Sequence, residues 1–121
     1  MSTVSFGRDG EKKVQRWLKE QKSFNILFTN FRKKGFEIDI IALDSKNILR
    51  FIEVKTVDLG SIFDASYSIE KRNMLNYQKG ALSFIQQYPE YSEHQLSMDA
   101  VVLEGNKFHY YENISGLTLF G

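Results

Sequence analysis

The sequence predicts an α/β domain in which helices pack on a mixed sheet, with the element order α-β-β-β-α-β-β. Three observations predict it. Apolar residues recur at helical spacing in two segments, near 9–22 and 68–88. Five other segments are rich in strand formers, and two of them are joined by four polar residues, as in an antiparallel hairpin. The strands of that hairpin are apolar on both faces, the pattern of a sheet covered on both sides.

The elements follow in order. The first helix is expected from Asp9, a good cap residue, to about Lys22. Val14, Trp17 and Leu18 form its apolar stripe, while Lys12, Lys13, Arg16 and Lys19 mostly point elsewhere. Phe24-Asn25-Ile26-Leu27-Phe28 favours a strand, and Arg32-Lys33-Lys34-Gly35 reads as a basic turn. Glu37–Leu43 is the next strand, Asp44–Asn47 a polar turn, and Ile48–Lys55 the strand that completes the hairpin. Residues 56–66 read as a loop containing Gly60. The second helix is expected from about Ser68 to Tyr88, with Met74, Leu75, Gln78, Ala81, Leu82 and Ile85 as its stripe, and Pro89 stops it. Met98–Leu103 and Lys107–Tyr111 close the chain as two strands around Glu104-Gly105-Asn106.

Composition bounds the function. The 121 residues suit one domain, residues 1–121, and with 42% apolar residues, 10 Phe and 6 Tyr the chain has enough to build a core. No stretch approaches the roughly 20 apolar residues of a membrane helix, and no signal-peptide core opens the chain. The absence of cysteine excludes disulfides, thiolate zinc sites and a cysteine nucleophile, and fits a cytoplasmic protein. Two histidines, His94 and His109, do not suggest a histidine-rich metal site. A net charge of +1, from 16 basic against 15 acidic residues, argues against a strongly basic nucleic-acid binder. The total hides an asymmetry. Residues 1–55 carry 12 basic and 7 acidic residues (+5), and residues 56–121 carry 4 and 8 (−4).

The hairpin carries the anomaly. Strand alternation puts Glu37, Asp39, Ile41 and Leu43 on one face and Ile38, Ile40 and Ala42 on the other. In the next strand Phe51, Glu53 and Lys55 share a face, opposite Ile52 and Val54. Carboxylates inside apolar strands need a cation, a partner or a metal. In a short antiparallel hairpin, Asp39, early in its strand, comes near Glu53, late in the next. Two neighbouring carboxylates repel unless a proton or a divalent cation sits between them. Asp39, Glu53 and the backbone carbonyl of Val54 would give a hard cation, Mg²⁺ or Mn²⁺, oxygen ligands at about 2.0–2.1 Å. Lys55 would hold a water or neutralise charge on a phosphorane. The opposing reading, an ion-paired Glu53–Lys55 with Asp39 at a strand edge, weighs about the same. Glu11, at the edge of the inward stripe of the first helix, is either a further acid aimed at the metal or an acid favoured by the helix N-terminus, worth about 0.3–1 kcal/mol.

These residues resemble a known group. Gly7-x-x-Gly10-Glu11, Asn30-Phe31-Arg32, Glu37-Ile38-Asp39-Ile40-Ile41, Phe51-Ile52-Glu53-Val54-Lys55 and Met98-Asp99-Ala100-Val101-Val102 look like the YraN-like family of small bacterial proteins. That family belongs to the PD-(D/E)xK nuclease superfamily and is similar to archaeal Holliday-junction resolvases. The resemblance implies a restriction-endonuclease-like fold and a metal-dependent endonuclease acting on DNA, branched or partly single-stranded. It implies Glu11, Asp39 and Glu53 as acidic metal-site residues and Lys55 as the catalytic lysine. Glu37 and Asp99 match further family acids and are secondary, and for Asp99 a structural role weighs equally. Resolvase relatives act as dimers, so a homodimer stays open. Phe36 stands where the family usually has Gly, which is expected to narrow the approach to the site. Ser97 stands where Arg is frequent, which removes a phosphate contact. Ile38 replaces the superfamily's nominal Pro.

Arg32, Lys33 and Lys34, with Lys12, are candidates for contacts to a nucleic-acid backbone, against a solvated turn. Lys71 and Gln78 are secondary candidates on the second helix, with snorkelling the simpler account of Lys71. Trp17 is assigned to the core and His109 to a structural role, and for Tyr67 and Tyr77 packing is preferred to base stacking. Two rivals to the enzyme remain: a nucleic-acid-binding module that keeps the nuclease fold without turnover, and a protein-interaction domain using the acidic second half.

Overall fold

Strand segments 25–57 carry two tight polar turns, and these set the architecture of the computed structural model, which describes residues 3–60 and 74–114. Helix α1 (Thr3–Lys22) leads into β1 (Asn25–Lys33), β2 (Phe36–Leu43) and β3 (Leu49–Val57). Helix α2 (Met74–Gln87) and a short 3₁₀ turn (Pro89–Tyr91) precede β4 (Leu96–Glu104) and β5 (Lys107–Tyr111). The five strands form one sheet in the order β1-β2-β3-β4-β5. β3 and β4 run parallel, as a crossover through α2 requires, and the other neighbours are antiparallel. The expected mixed sheet and element order are therefore present.

Each face of the sheet is covered by one helix. On one face Val14 and Leu18 of α1 pack on Ile40, Ala42, Ile52, Val101 and Leu103. On the other, Tyr77, Ala81 and Phe84 of α2 pack on Phe31, Ile38, Ile41, Leu49, Phe51 and Met98. Phe84 meets Phe28, Phe31 and Phe51 edge-on, with centroids 5.3, 5.5 and 5.8 Å apart. Two-sided cover explains why β2 and β3 read as apolar throughout.

Four expectations need correction. α1 begins at Thr3, so Asp9 lies inside the helix and does not cap it. α1 lies close to β3 at Gly10, where any Cβ would collide with the Thr56 hydroxyl. The inward stripe of α2 is Tyr77, Gly80, Ala81 and Phe84, while Leu82 is 49% exposed. The bulky aromatics at 77 and 84 decide the face; of the expected stripe Ala81 and Ile85 pack on the core, and the side chains of Met74 and Leu75 lie outside the described residues. Arg32 and Lys33 belong to β1, and the turn shrinks to Lys34-Gly35, with Gly35 at φ +93°. Finally, alternation fails in β2. Ile38 packs with Ile41 on the α2 side, whereas Ile40 and Ala42 pack on the α1 side. The strand changes phase at Asp39.

Candidate metal site

The β2–β3 hairpin begins as a tight turn. Asp44 Oδ1 accepts the N–H groups of Lys46 and Ile48 at 2.8 and 2.9 Å, an Asx-type closure. From there the register runs Leu43↔Leu49, Ala42↔Arg50, Ile41↔Phe51 and Ile40↔Ile52, and stops. One further step would set Asp39 opposite Glu53. Instead the Asp39 side chain bridges the strands, and its Oδ2 accepts the Val54 N–H at 2.8 Å. A carboxylate thus occupies the place of a ladder carbonyl at the end of the paired region.

β3 continues along β4 to Val57↔Glu104, with Glu53 beside Ala100 and Lys55 beside Val102. Alternation holds here. Ile52 and Val54 join the α1-side core, while Phe51 lies in the α2-side core and Val57 packs with Ala100 and Val102. Glu53 and Lys55 share the face of Phe51 and Val57. Glu53 is 2% exposed, and Asp39 and Lys55 are half-buried. Asp39, Glu53 and the Val54 carbonyl all offer hard oxygens at this fork. Such a set would suit Mg²⁺ or Mn²⁺ with retained waters better than a soft metal.

Glu11 lies on the first helix and not on the hairpin. It is half-buried at the edge of the α1 stripe, next to the Gly10–Thr56 contact. Among the described residues no three His, Cys, Asp or Glu draw together as a metal cage, so Glu11 does not complete one with Asp39 and Glu53.

The secondary candidates separate. Glu37 is exposed at the hairpin tip and pairs with Arg32 at 3.0 Å across the strands. Lys33 and Lys34 are exposed beside it, with Lys33 Nζ 5.6 Å from the Phe31 ring centroid. Lys12 is exposed on α1, and Gln78 is half-buried on α2. Lys71 and Tyr67 lie outside the described residues. Tyr77 is 4% exposed and belongs to the core, in line with the packing preference. Phe36 lies on the α2 side of the sheet. It packs beside Phe31 and against Gly80, where a Cβ would come within 3.1 Å of Phe36 and 2.8 Å of Ile38.

Asp99 belongs to a different cluster. Its Oδ2 accepts Arg50 Nη1 at 2.8 Å and the Tyr110 hydroxyl, and its Oδ1 accepts Ser97 Oγ at 2.6 Å and the Asn113 N–H at 2.9 Å. Arg50 also pairs with Asp44 at 3.0 Å and Glu112 at 2.7 Å. Burial alone would lower the pKa of Arg50, but the Asp99 and Glu112 carboxylates hold it above the ordinary guanidinium range. Burial and the Asp99 charge push Tyr110 up. Burial raises Asp44, yet its bonds from Ile48, Lys46 and Arg50 win and leave it below the usual carboxylate range. Ser97 sits beside Arg50 in the β3–β4 register, within this cluster. Arg50 is not among the residues singled out from the sequence. Its position inside an apolar strand was the available signal.

A second cluster that the sequence did not disclose holds the exit of β3. Glu104 accepts the Gly60 N–H at 2.8 Å and bonds His109 Nε2 at 3.0 Å. The Gly60 bond first, and His109 with it, keep the Glu104 carboxyl below its usual range. His109 is thus structural, as expected. Trp17 is half-buried and stacks on Phe108 at 4.9 Å.

Comparison with known proteins agrees with the resemblance seen in the sequence. A family described as "Uncharacterised protein family UPF0102" matches residues 10–103. A UPF0102 protein of Treponema denticola is 36% identical over 110 residues, covering 86% of this chain and 84% of that one. One of Campylobacter concisus is 36% identical, covering 91% and 93%, and one of a Sulfurihydrogenibium species is 32% identical, covering 97% and 99%.

Proposed function

The chain belongs to the UPF0102 (YraN-like) family, and on that premise we propose that it is a metal-dependent endonuclease hydrolysing phosphodiester bonds in DNA. One observation carries this reading. The Asp39 carboxylate is seated on the Val54 N–H where β2 and β3 part, beside the buried Glu53 and one alternation step from Lys55. Asp39, Glu53 and the Val54 carbonyl would hold Mg²⁺ or Mn²⁺, with Glu11 acting through water. Such an ion lowers the pKa of a bound water and polarises the scissile phosphate. The Val54 N–H fixes the direction of the Asp39 carboxylate. The Lys55 ammonium, on the Glu53 face, orients the attacking water or offsets the charge that builds on the phosphate oxygens. Arg32, Lys33, Lys34 and Lys12 carry the backbone of the nucleic acid past the fork by neutralising phosphates.

The test is cleavage of plasmid and branched DNA with Mn²⁺ by the wild type, Asp39→Ala and Lys55→Ala. Loss of cleavage in both variants is the expected result, and equal activity in all three proteins would sink the assignment. A second reading, a DNA-binding module without turnover, draws on the lack of a three-acid cage among the described residues. Salt-dependent DNA binding that survives Asp39→Ala, with no cleavage by the wild type, would favour it.

A further inference from the structure

Asn30 lies within β1, away from either end, yet its φ is +54°. Non-glycine residues enter this left-handed region uncommonly, and Asn enters it more readily than most. The register gives the position meaning. Thr29 pairs with Ile40 and Phe31 with Ile38, so Asn30 is bracketed opposite Asp39.

Both strands change face at this pair. Phe28 and Phe31 are three residues apart and pack in the same core, and so are Ile38 and Ile41. In an unbroken strand, residues three apart lie on opposite faces. Counted from Ile41, Asp39 belongs on the α2 side. Counted from Ile38, it belongs on the α1 side. The two counts collide at Asp39, and its carboxylate goes sideways to the Val54 N–H of the next strand.

We propose that Asn30 is a positioning residue: its left-handed backbone shifts β1 and β2 by one phase at the Asn30–Asp39 pair and thereby aims the Asp39 carboxylate along the sheet at Val54. The consequence for metal binding rests on the function proposed above. The aiming of Asp39 does not.

The experiment follows hydrogen exchange of the Val54 amide relative to Phe51 by NMR in the wild type, Asn30→Gly, Asn30→Val and Asp39→Ala, with Mn²⁺ titrated into each. Asp39→Ala removes the acceptor and sets the scale of lost protection. Glycine adopts the left-handed backbone freely and a β-branched residue resists it. Asn30→Gly is therefore expected to keep Val54 protection within about threefold, and Asn30→Val to lose about tenfold or more. Mn²⁺ affinity is expected to fall on the order of tenfold in Asn30→Val and to hold in Asn30→Gly. Should Asn30→Val fail to fold, Asn30→Ala takes its place.

Unchanged relative protection in Asn30→Val would overturn the proposal. So would equal losses in Asn30→Gly and Asn30→Val, which would assign the role to the amide side chain. A wild type that binds no Mn²⁺, with Val54 protection still following the Asn30 series, would remove the metal reading and leave the positioning role standing.

Discussion

Two places along β3 hold acids by different means. At its start, Arg50 is built into the strand, and Asp44, Asp99 and Glu112 gather around it. Halfway along, pairing with β2 has stopped, and Asp39 is held by a backbone N–H beside Glu53. Burial does not separate them, since Asp99 is 0% and Glu53 2% exposed. The state of the sheet does. Around Arg50 the strands are paired on both sides, and both Asp99 oxygens are engaged by groups of the chain. At Asp39 the sheet opens. A buried carboxylate inside a closed ladder supports structure, whereas the function proposed above gives the pair at the fork a metal ion to hold.

The strongest test of that contrast is Arg50→Met, which leaves Asp99 buried without its cation. It is expected to cost about 3–5 kcal/mol, read by urea denaturation. Comparable stability to the wild type would mean that the Arg50 end is not structural. Next comes Asp39→Ala, which strips the acceptor from a half-buried amide. A loss of about 1–3 kcal/mol is expected, well below that of Arg50→Met, together with loss of Mn²⁺ binding. Asp39→Asn should recover most of the stability and little of the metal affinity, because an amide oxygen still accepts the N–H but carries no charge.

The pH profile sharpens the comparison further. Asp44 and Glu104 titrate below their ordinary ranges in the folded chain. Their contributions are therefore complete above about pH 4.5 and are lost as the pH falls through the lowered folded values. Asp44→Asn is expected to flatten this acid loss of stability, measured as the denaturation midpoint from pH 7 to pH 3. The smallest effect is at the hairpin tip. Lys33→Ala should leave stability unchanged and reduce the slope of log K against log salt for duplex DNA by about 0.9.

Much of this was legible in the sequence, and for identifiable reasons. Strand and helix periods, the Asp44–Asn47 turn and Pro89 marked the elements, because each acts locally. Asp39 and Glu53 stood out as charges in apolar strands. Arg50 was the same kind of anomaly, but its partners Asp99 and Glu112 lie on elements remote in the chain, and no local pattern reports the β3–β4 register. The end of α1 that holds Asp9 was misread because a good cap residue also occurs inside a helix. The phase change at Asp39 was out of reach. It depends on a left-handed backbone at Asn30, and residue type alone does not announce one.

The parallel pairing of β3 with β4 also bears on how the chain acquires its shape. β2 and β3 meet across the turn at 44–48, a local event, while Leu49 must find Leu96 and Val57 must find Glu104, each 47 residues further along (96 − 49 and 104 − 57). Contacts of long sequence separation close late, because their entropy is spent before they return anything. On a growing chain the hairpin forms first as a ribbon with one bare edge. β3 gains its second neighbour, and Glu53 its cover, only once β4 has been made. Asp39 thus meets Val54 within the early hairpin, while Glu53 reaches its final setting only with the later closure of β4.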